Sequence, residues 1–129
     1  MLLSEFFALF VIIRLSLGKN RTEREGKLVI LLDFESFQTE VKESGARAFV
    51  VFTSDRCPVC TRIEPVLTAA EKEHRNVRFC KVDTDLEPEL AREFSVRSVP
   101  TSVAFENGRG KARAAGLLGK REIYEMLSK

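Results

Sequence analysis

Two cysteines separated by two residues are the part of the chain best suited to chemistry. Cys57, Pro58, Val59 and Cys60 follow an apolar stretch and open a segment with helical periodicity. The free N–H groups at the start of a helix favour a thiolate, so we expect them to lower the pKa of Cys57. The neighbouring Arg56 is expected to add to this effect through its positive charge.

The spacing of the two thiols suits a reversible disulfide. Cys60 falls about one helical turn after Cys57 on the same face, within reach of a disulfide after modest adjustment. Pro58 fits the first turn, because its fixed φ is compatible with a helix and stiffens the turn. The pattern therefore predicts thiol–disulfide exchange, in which Cys57 attacks a substrate disulfide and Cys60 resolves the mixed disulfide.

Zinc binding is the main alternative use of these cysteines, because His74 and Cys80 complete a C-x2-C-x13-H-x5-C pattern. A single helix from Cys60 to His74 rises about 1.5 Å per residue and would place the imidazole roughly 21 Å from the thiols, too far for a shared metal. We therefore predict no metal site and an exposed His74. Cys80 is expected to be a small buried hydrophobe, the alternative being a regulatory or dimer-forming thiol.

The residues around the cysteines alternate between strand and helix patterns. Apolar runs rich in β-formers predict strands at 27–32, 46–53, 77–82, 101–106 and 110–115. Helical periodicity, caps and breakers predict helices at 33–44, 58–74, 87–94 and 120–128. The order β-α-β-α-β-α followed by β-β-α predicts an α/β domain with a mixed central sheet flanked by helices.

Several motifs outside the cysteine pair resemble those of the thioredoxin superfamily, over residues 28–129. They are Pro65 inside a helix, Val82-Asp83-Thr84-Asp85 after a strand, the segment Val96 to Thr101, Phe105-Glu106-Asn107-Gly108 in a hairpin, and Gly116 before the last helix. The resemblance implies the thioredoxin fold in a single-domain thioredoxin-like or disulfide isomerase-like protein. It also implies that Pro100 is cis and faces the cysteines, and that Val99 and Thr101 help to form a substrate groove.

The chain departs from the family pattern at several positions. Val51 stands where the family has a buried carboxylate that helps to move the proton of the second cysteine, so we expect slow resolution by Cys60. Lys81 occupies the place of the lysine that partners this acid, and we expect it to reach solvent. Residues 53–56 lack the family's substrate-contacting aromatic. The proline after the first cysteine makes this motif resemble those of glutaredoxins and of disulfide isomerases or oxidases. This resemblance indicates a dithiol that is more oxidising than that of an ordinary reducing thioredoxin.

Length and composition fit one globular domain. The 129 residues suffice for one hydrophobic core, and 44% hydrophobic with 31% charged residues exclude general disorder. The 21 basic and 19 acidic residues give a net charge of +2 and are spread along the chain, which argues against a dedicated nucleic-acid binder. Three cysteines are too few for a disulfide-stapled scaffold, and their odd number leaves at least one without a partner inside the molecule.

Residues 1–26 form an apolar leader with a charged linker, ahead of the predicted domain at 27–129. The unbroken apolar run Phe6–Ile13 has the length of a signal-peptide core, with small residues before a cleavage position after Gly18 and a glycosylation sequon beginning at Asn20. We expect a location in the secretory pathway, in the endoplasmic reticulum lumen or another extracytoplasmic space. The alternatives are an uncleaved anchor, an amphipathic helix packed on the domain, or a cytoplasmic protein.

The combined hypothesis is a thiol–disulfide oxidoreductase that exchanges disulfides with protein or peptide substrates. Electrons pass through the dithiol itself, so we expect no bound cofactor and a redox partner such as a reductase, glutathione or an oxidase. A monomer is expected, without a nucleic-acid partner and with membrane contact only through an uncleaved leader. The alternative functions are a redox-inert interaction module of the same fold and, less favoured, a zinc-binding domain.

Overall fold

The computed structural model describes residues 29–129. The predictions for the leader, its cleavage position and its sequon fall on residues 1–28 and lie outside the described residues. The same holds for the first two residues of the strand predicted at 27–32.

Five strands and four helices follow one another in the predicted order. The strands are β1 (Ile30–Leu31), β2 (Arg47–Thr53), β3 (Val77–Asp83), β4 (Thr101–Glu106) and β5 (Arg109–Ala115). The helices are α1 (Phe34–Phe37, continued as a π-helical segment over Gln38–Glu43), α2 (Cys60–Glu73), α3 (Pro88–Glu93) and α4 (Lys120–Leu127). The predicted α/β class and the order of its elements are therefore confirmed.

The strands form one mixed sheet in the order β1-β3-β2-β4-β5. β1 and β2 run parallel to β3, whereas β4 is antiparallel to both β2 and β5. Thr53 pairs with Asp83, and the neighbouring Phe52 pairs with Thr101, so β2 and β3 end at the same edge at which β4 begins. The loops after β2, after β3 and before β4 therefore meet at one edge of the sheet.

The central strand β2 supplies side chains to both hydrophobic layers, because successive residues of a strand point to opposite faces. Phe49 and Val51 belong to the layer under α2 and α4, and Val50 and Phe52 belong to the layer under α1 and α3. All residues from Ala48 to Phe52 are fully buried. The strand is therefore buried on both faces of the sheet.

Local signals fix the ends of the first helix. Asp33 caps α1, because its Oδ1 accepts a hydrogen bond of 2.8 Å from the Ser36 N–H. Gly45 follows the π-helical segment with a φ of +69°, a left-handed conformation that glycine adopts without steric cost. The predicted helix is thus present, although its second half is wound as a π-helix.

The predicted hairpin joins β4 to β5 through Asn107 and Gly108, which both have positive φ. A Cβ on Gly108 would lie 2.9 Å from the carbonyl oxygen of Lys42, so the turn needs glycine for its conformation and for space. β1 is shorter than predicted, because this edge strand pairs with β3 only at Ile30 and Leu31.

Candidate active site

Cys57 lies in the loop that leaves the end of β2 and leads into α2. Its N–H donates to the Ser54 carbonyl at 3.1 Å, and its Sγ accepts a hydrogen bond of 3.3 Å from the Cys60 N–H. The prediction that the helix begins at Pro58 is wrong, because α2 begins at Cys60. Pro58 and Val59 instead form a turn that is closed by a bond of 3.2 Å from the Cys60 N–H to the Cys57 carbonyl.

The two thiols have different environments. Cys57 is partly exposed, whereas Cys60 retains only 5% of its accessible surface. Burial first, and then the hydrogen bond and the charge of Cys57, together raise the pKa of Cys60 to about 11. The sulfur of Cys57 is therefore accessible to a substrate, whereas the thiol of Cys60 is protonated at neutral pH and shielded from solvent.

The segment that leads into β4 brings Val99 to Cys57, and Pro100 and Thr101 follow Val99 in the chain. The Val99–Pro100 peptide bond is cis. The Cys57 thiol donates to the Val99 carbonyl at an Sγ–O distance of 3.6 Å. Thr101 is buried and its hydroxyl donates to the Ser98 carbonyl at 2.7 Å, which fixes the loop. Val99 lies beyond the last β2–β4 pair, so its peptide group has no partner in the sheet ladder.

Two exposed apolar side chains belong to the segments that adjoin this loop. Val59 is 41% exposed in the turn between the cysteines. Leu117, which is 47% exposed, follows Gly116, whose N–H donates to the Pro100 carbonyl at 2.8 Å. Sequence reasoning missed Leu117, because a single leucine near the end of a strand carries no functional pattern by itself.

Arg56 extends away from the thiols and contacts the loop after β3. Its side chain is 85% exposed, and one terminal guanidinium nitrogen lies 3.1 Å from Oδ1 of Asp85. Hydrogen bonds from the Ser54 hydroxyl and then from Arg56 lower the pKa of Asp85. The effect of Arg56 on Cys57 stays a prediction. Asp83 caps the turn that follows β3, because its Oδ1 accepts a hydrogen bond of 2.8 Å from the Asp85 N–H.

Lys81 lies on β3 beside Val51 and has a different partner from the one expected. Its ammonium group forms an ion pair with the carboxylate of Glu64, and its side chain is only 25% exposed. The prediction that Lys81 simply reaches solvent is therefore wrong. Its strand neighbour Val51 offers no carboxylate, so Lys81 pairs with one supplied by α2. Sequence reasoning missed Glu64, although it lies one helical turn after Cys60.

The other candidate metal ligands stay apart from the cysteines. His74 caps the end of α2, is half-buried rather than exposed, and packs on Tyr124 at a ring distance of 4.4 Å. Cys80 is buried in the layer under α1 and α3, as predicted. Within residues 29–129, no group of three or more His, Cys, Asp or Glu side chains is arranged to hold a metal ion. Helices in this part of the chain are all too short or too polar to cross a membrane.

Comparison with known proteins identifies the family of this arrangement. The sequence model of the thioredoxin family matches residues 28–129. The chain is 33% identical to a thioredoxin of Mycobacterium tuberculosis over 108 residues, which cover 83% of this chain and 93% of that protein. It is 31% identical to the chloroplastic thioredoxin M5 of Oryza sativa subsp. japonica over 102 residues, 78% of this chain and 59% of that protein.

A third relative is a bifunctional thioredoxin reductase/thioredoxin of Mycobacterium leprae, which is 37% identical over 94 residues. This match covers 72% of the chain but only 20% of the relative. The chain belongs to the thioredoxin family. Family membership and the adjacent thiols of Cys57 and Cys60 indicate the general activity of a thiol–disulfide oxidoreductase.

Proposed function

We propose that this protein exchanges disulfides with protein or peptide substrates, with Cys57 as the nucleophile and Cys60 as the resolving thiol. The observation that carries the proposal is the bond of 3.3 Å from the Cys60 N–H to the Cys57 sulfur, combined with the burial of Cys60. A backbone N–H directed at sulfur stabilises the thiolate that attacks a disulfide. The burial of Cys60 prevents its thiol from attacking the substrate disulfide before Cys57 does.

The proposed reaction has two exchange steps. In the first, the Cys57 thiolate forms a bond to one substrate sulfur, and the substrate disulfide breaks to release the other sulfur as a thiolate. In the second, Cys60 loses its proton and attacks the Cys57 sulfur, which releases the rest of the substrate and leaves a Cys57–Cys60 disulfide. Two electrons have then passed from the dithiol to the substrate, and a reductase or glutathione returns two electrons to the pair. In the reverse direction the Cys57–Cys60 disulfide oxidises a substrate dithiol, and an oxidase then restores the disulfide.

The groove for the substrate is proposed to lie along Val99, Pro100 and Thr101. The peptide group of Val99 is free of the sheet ladder and adjoins the Cys57 sulfur, so an extended substrate can pair with it by strand addition. The exposed side chains of Val59 and Leu117 offer apolar contacts on either side. Pro58 restricts the turn between the cysteines and keeps the attacking sulfur at the groove.

Catalysed reduction of insulin by dithiothreitol tests the proposal. The full chain is expected to precipitate the insulin B chain faster than dithiothreitol alone, because Cys57 provides a preorganised thiolate. Cys80→Ala is the matched control, since it removes a thiol that lies in the core away from the site and should retain the rate. A rate equal to that of dithiothreitol alone would overturn the proposal and favour a redox-inert module.

The direction of net electron flow follows from the reduction potential of the pair. Titration of the full chain against glutathione, with thiol alkylation as the readout, gives this value. A potential near about −270 mV is typical of a reductase, and one near about −180 mV is typical of an isomerase or oxidase. We propose a reduction potential near the isomerase or oxidase value, because a motif with Pro58 between the cysteines resembles that of the oxidising members of the superfamily.

We also propose that the protein acts in the secretory pathway, on the basis of the apolar leader and the sequon beginning at Asn20. Mass spectrometry of the protein isolated from its native cells is expected to give an N-terminus near Lys19. A cytosolic pool that retains Met1 would contradict this location.

A further inference from the structure

A shallow cleft of about 250 Å³ adjoins the candidate active site, with which it shares Val99. The loops after β2 and β3 form one wall, and the segment before β4 forms the other. Three charged residues line it, namely Arg56, Asp85 and Arg97. The remaining lining residues are uncharged, so these three side chains set the charge of the cleft.

The cleft is placed to receive the residues next to a reacting substrate cysteine. Arg56 immediately precedes Cys57, and Val99 both lines the cleft and accepts the hydrogen bond from the Cys57 thiol. In a peptide that pairs with Val99 and presents its sulfur to Cys57, the neighbouring residues lie only about 3.3 Å further along the extended chain, which is within reach of this cleft.

The charges in the cleft do not cancel. Asp85 is already occupied, since the Ser54 hydroxyl and one guanidinium nitrogen of Arg56 donate to its carboxylate. Arg97 is exposed and forms no ion pair with any residue in the range 29–129. Two cations and one anion leave the lining with a net charge of +1, and the guanidinium groups keep donors free for another carboxylate. Asp55 is exposed beside Arg56 but does not line the cleft.

We propose that Arg56 and Arg97 select substrates that carry a carboxylate side chain, Asp or Glu, next to the reacting cysteine. This inference rests on the proposed disulfide exchange and names the class of substrate for the same site. Arg97 supplies the free charge, and Arg56 shares its guanidinium between Asp85 and the substrate. Planar guanidinium groups suit this role because they bind carboxylates with two parallel hydrogen bonds.

Three peptides that differ only in charge test the selection. Each has the sequence Ac-X-Cys-X-NH2, with Glu, Gln or Lys as X, and carries its cysteine sulfur as a 2-pyridyl disulfide. Attack by Cys57 on the peptide sulfur forms the mixed disulfide, breaks the bond to the pyridyl sulfur and releases pyridine-2-thione, which absorbs light. Each rate with the reduced full chain is divided by the rate of the same peptide with 2-mercaptoethanol, which removes the intrinsic effect of X.

The Glu peptide is expected to react about five to ten times faster than the Lys peptide at low salt, with the Gln peptide between them, because two exposed ion pairs are involved. About 1 M salt should reduce this ratio to below about 2, since it screens exposed charges. Arg97→Glu is expected to lower the ratio about tenfold, and Asp85→Asn to raise it about twofold, since Arg56 is then released.

Arg109→Glu is the matched control, because it makes the same change of charge at an exposed position at the far end of the β4–β5 hairpin. It should keep the Glu-to-Lys ratio of the unchanged protein. Equal rates for the three peptides, or the same loss in Arg109→Glu as in Arg97→Glu, would overturn the inference while leaving disulfide exchange intact. Release of pyridine-2-thione no faster than in Cys57→Ser, with every peptide, would instead overturn the proposed function itself.

Discussion

Replacing Cys57 with serine is expected to abolish catalysed disulfide reduction, whereas Cys60→Ser should stop the reaction after its first step. A serine hydroxyl does not form the thiolate that attacks a disulfide, so Cys57→Ser should fall to the uncatalysed rate. In Cys60→Ser the attacking sulfur is kept, but no second thiol remains to release the substrate. The mixed disulfide should therefore accumulate.

Mass spectrometry and non-reducing electrophoresis with a disulfide substrate measure both outcomes. Cys60→Ser is expected to gain the mass of the substrate through one bond to Cys57, and dithiothreitol should remove this mass. Cys57→Ser is expected to gain none, because the remaining thiols of Cys60 and Cys80 are buried. A trapped species in Cys57→Ser, or full turnover in Cys60→Ser, would show that the two roles are assigned wrongly.

The second step is expected to accelerate about tenfold for each unit of pH, from about pH 7 until the pH approaches the pKa of Cys60. Only the thiolate of Cys60 attacks, and burial raises the pKa of this thiol to about 11. At a pH below the pKa, the thiolate fraction rises tenfold per unit. In the mixed disulfide Cys57 carries no charge, so its contribution disappears and the midpoint should fall between the ordinary value of 9.0 and about 11.

Rapid mixing of the reduced protein with a pyridyl disulfide peptide separates the steps. Release of pyridine-2-thione reports the attack by Cys57, and the later appearance of the peptide thiol, trapped by acid quenching, reports resolution by Cys60. Cys60→Ser is the control and should lack the second phase at every pH. A second phase whose rate is flat from about pH 7 to pH 9 would contradict the prediction, because a group of the protein would then be removing the proton.

We expect this pH dependence because Val51 provides no carboxylate that could accept the proton of Cys60. Val51 is fully buried and apolar beside Lys81, so β2 offers no acid to accept a proton. The carboxylate that pairs with Lys81 comes instead from Glu64 on α2. Its side chain is 40% exposed, so the ion pair lies at the border of the core rather than inside it. This placement is consistent with a slow second step at neutral pH.

Local patterns were sufficient to predict most of the fold. The spacing of Cys57 and Cys60, the cap at Asp33 and the Asn107-Gly108 turn each involve residues within one turn of the chain, where sequence alone limits the conformation. The apolar run Ala48–Phe52 was sufficient to predict a strand, and the structure shows it fully buried. Errors were confined to ends and details, such as the start of α2 and the length of β1, where weak turns and edge pairing decide.

The composition of the site depended on contacts between residues far apart in the chain. Sequence determined that Cys57 and Cys60 form a pair, since their spacing is local. Only the tertiary structure decided that Arg56 contacts Asp85, that Lys81 pairs with Glu64, and that Gly116, next to Leu117, bonds to Pro100. These contacts exist because the order and register of β3, β2 and β4 bring separate loops to one edge of the sheet, and no local pattern records which side chains then meet.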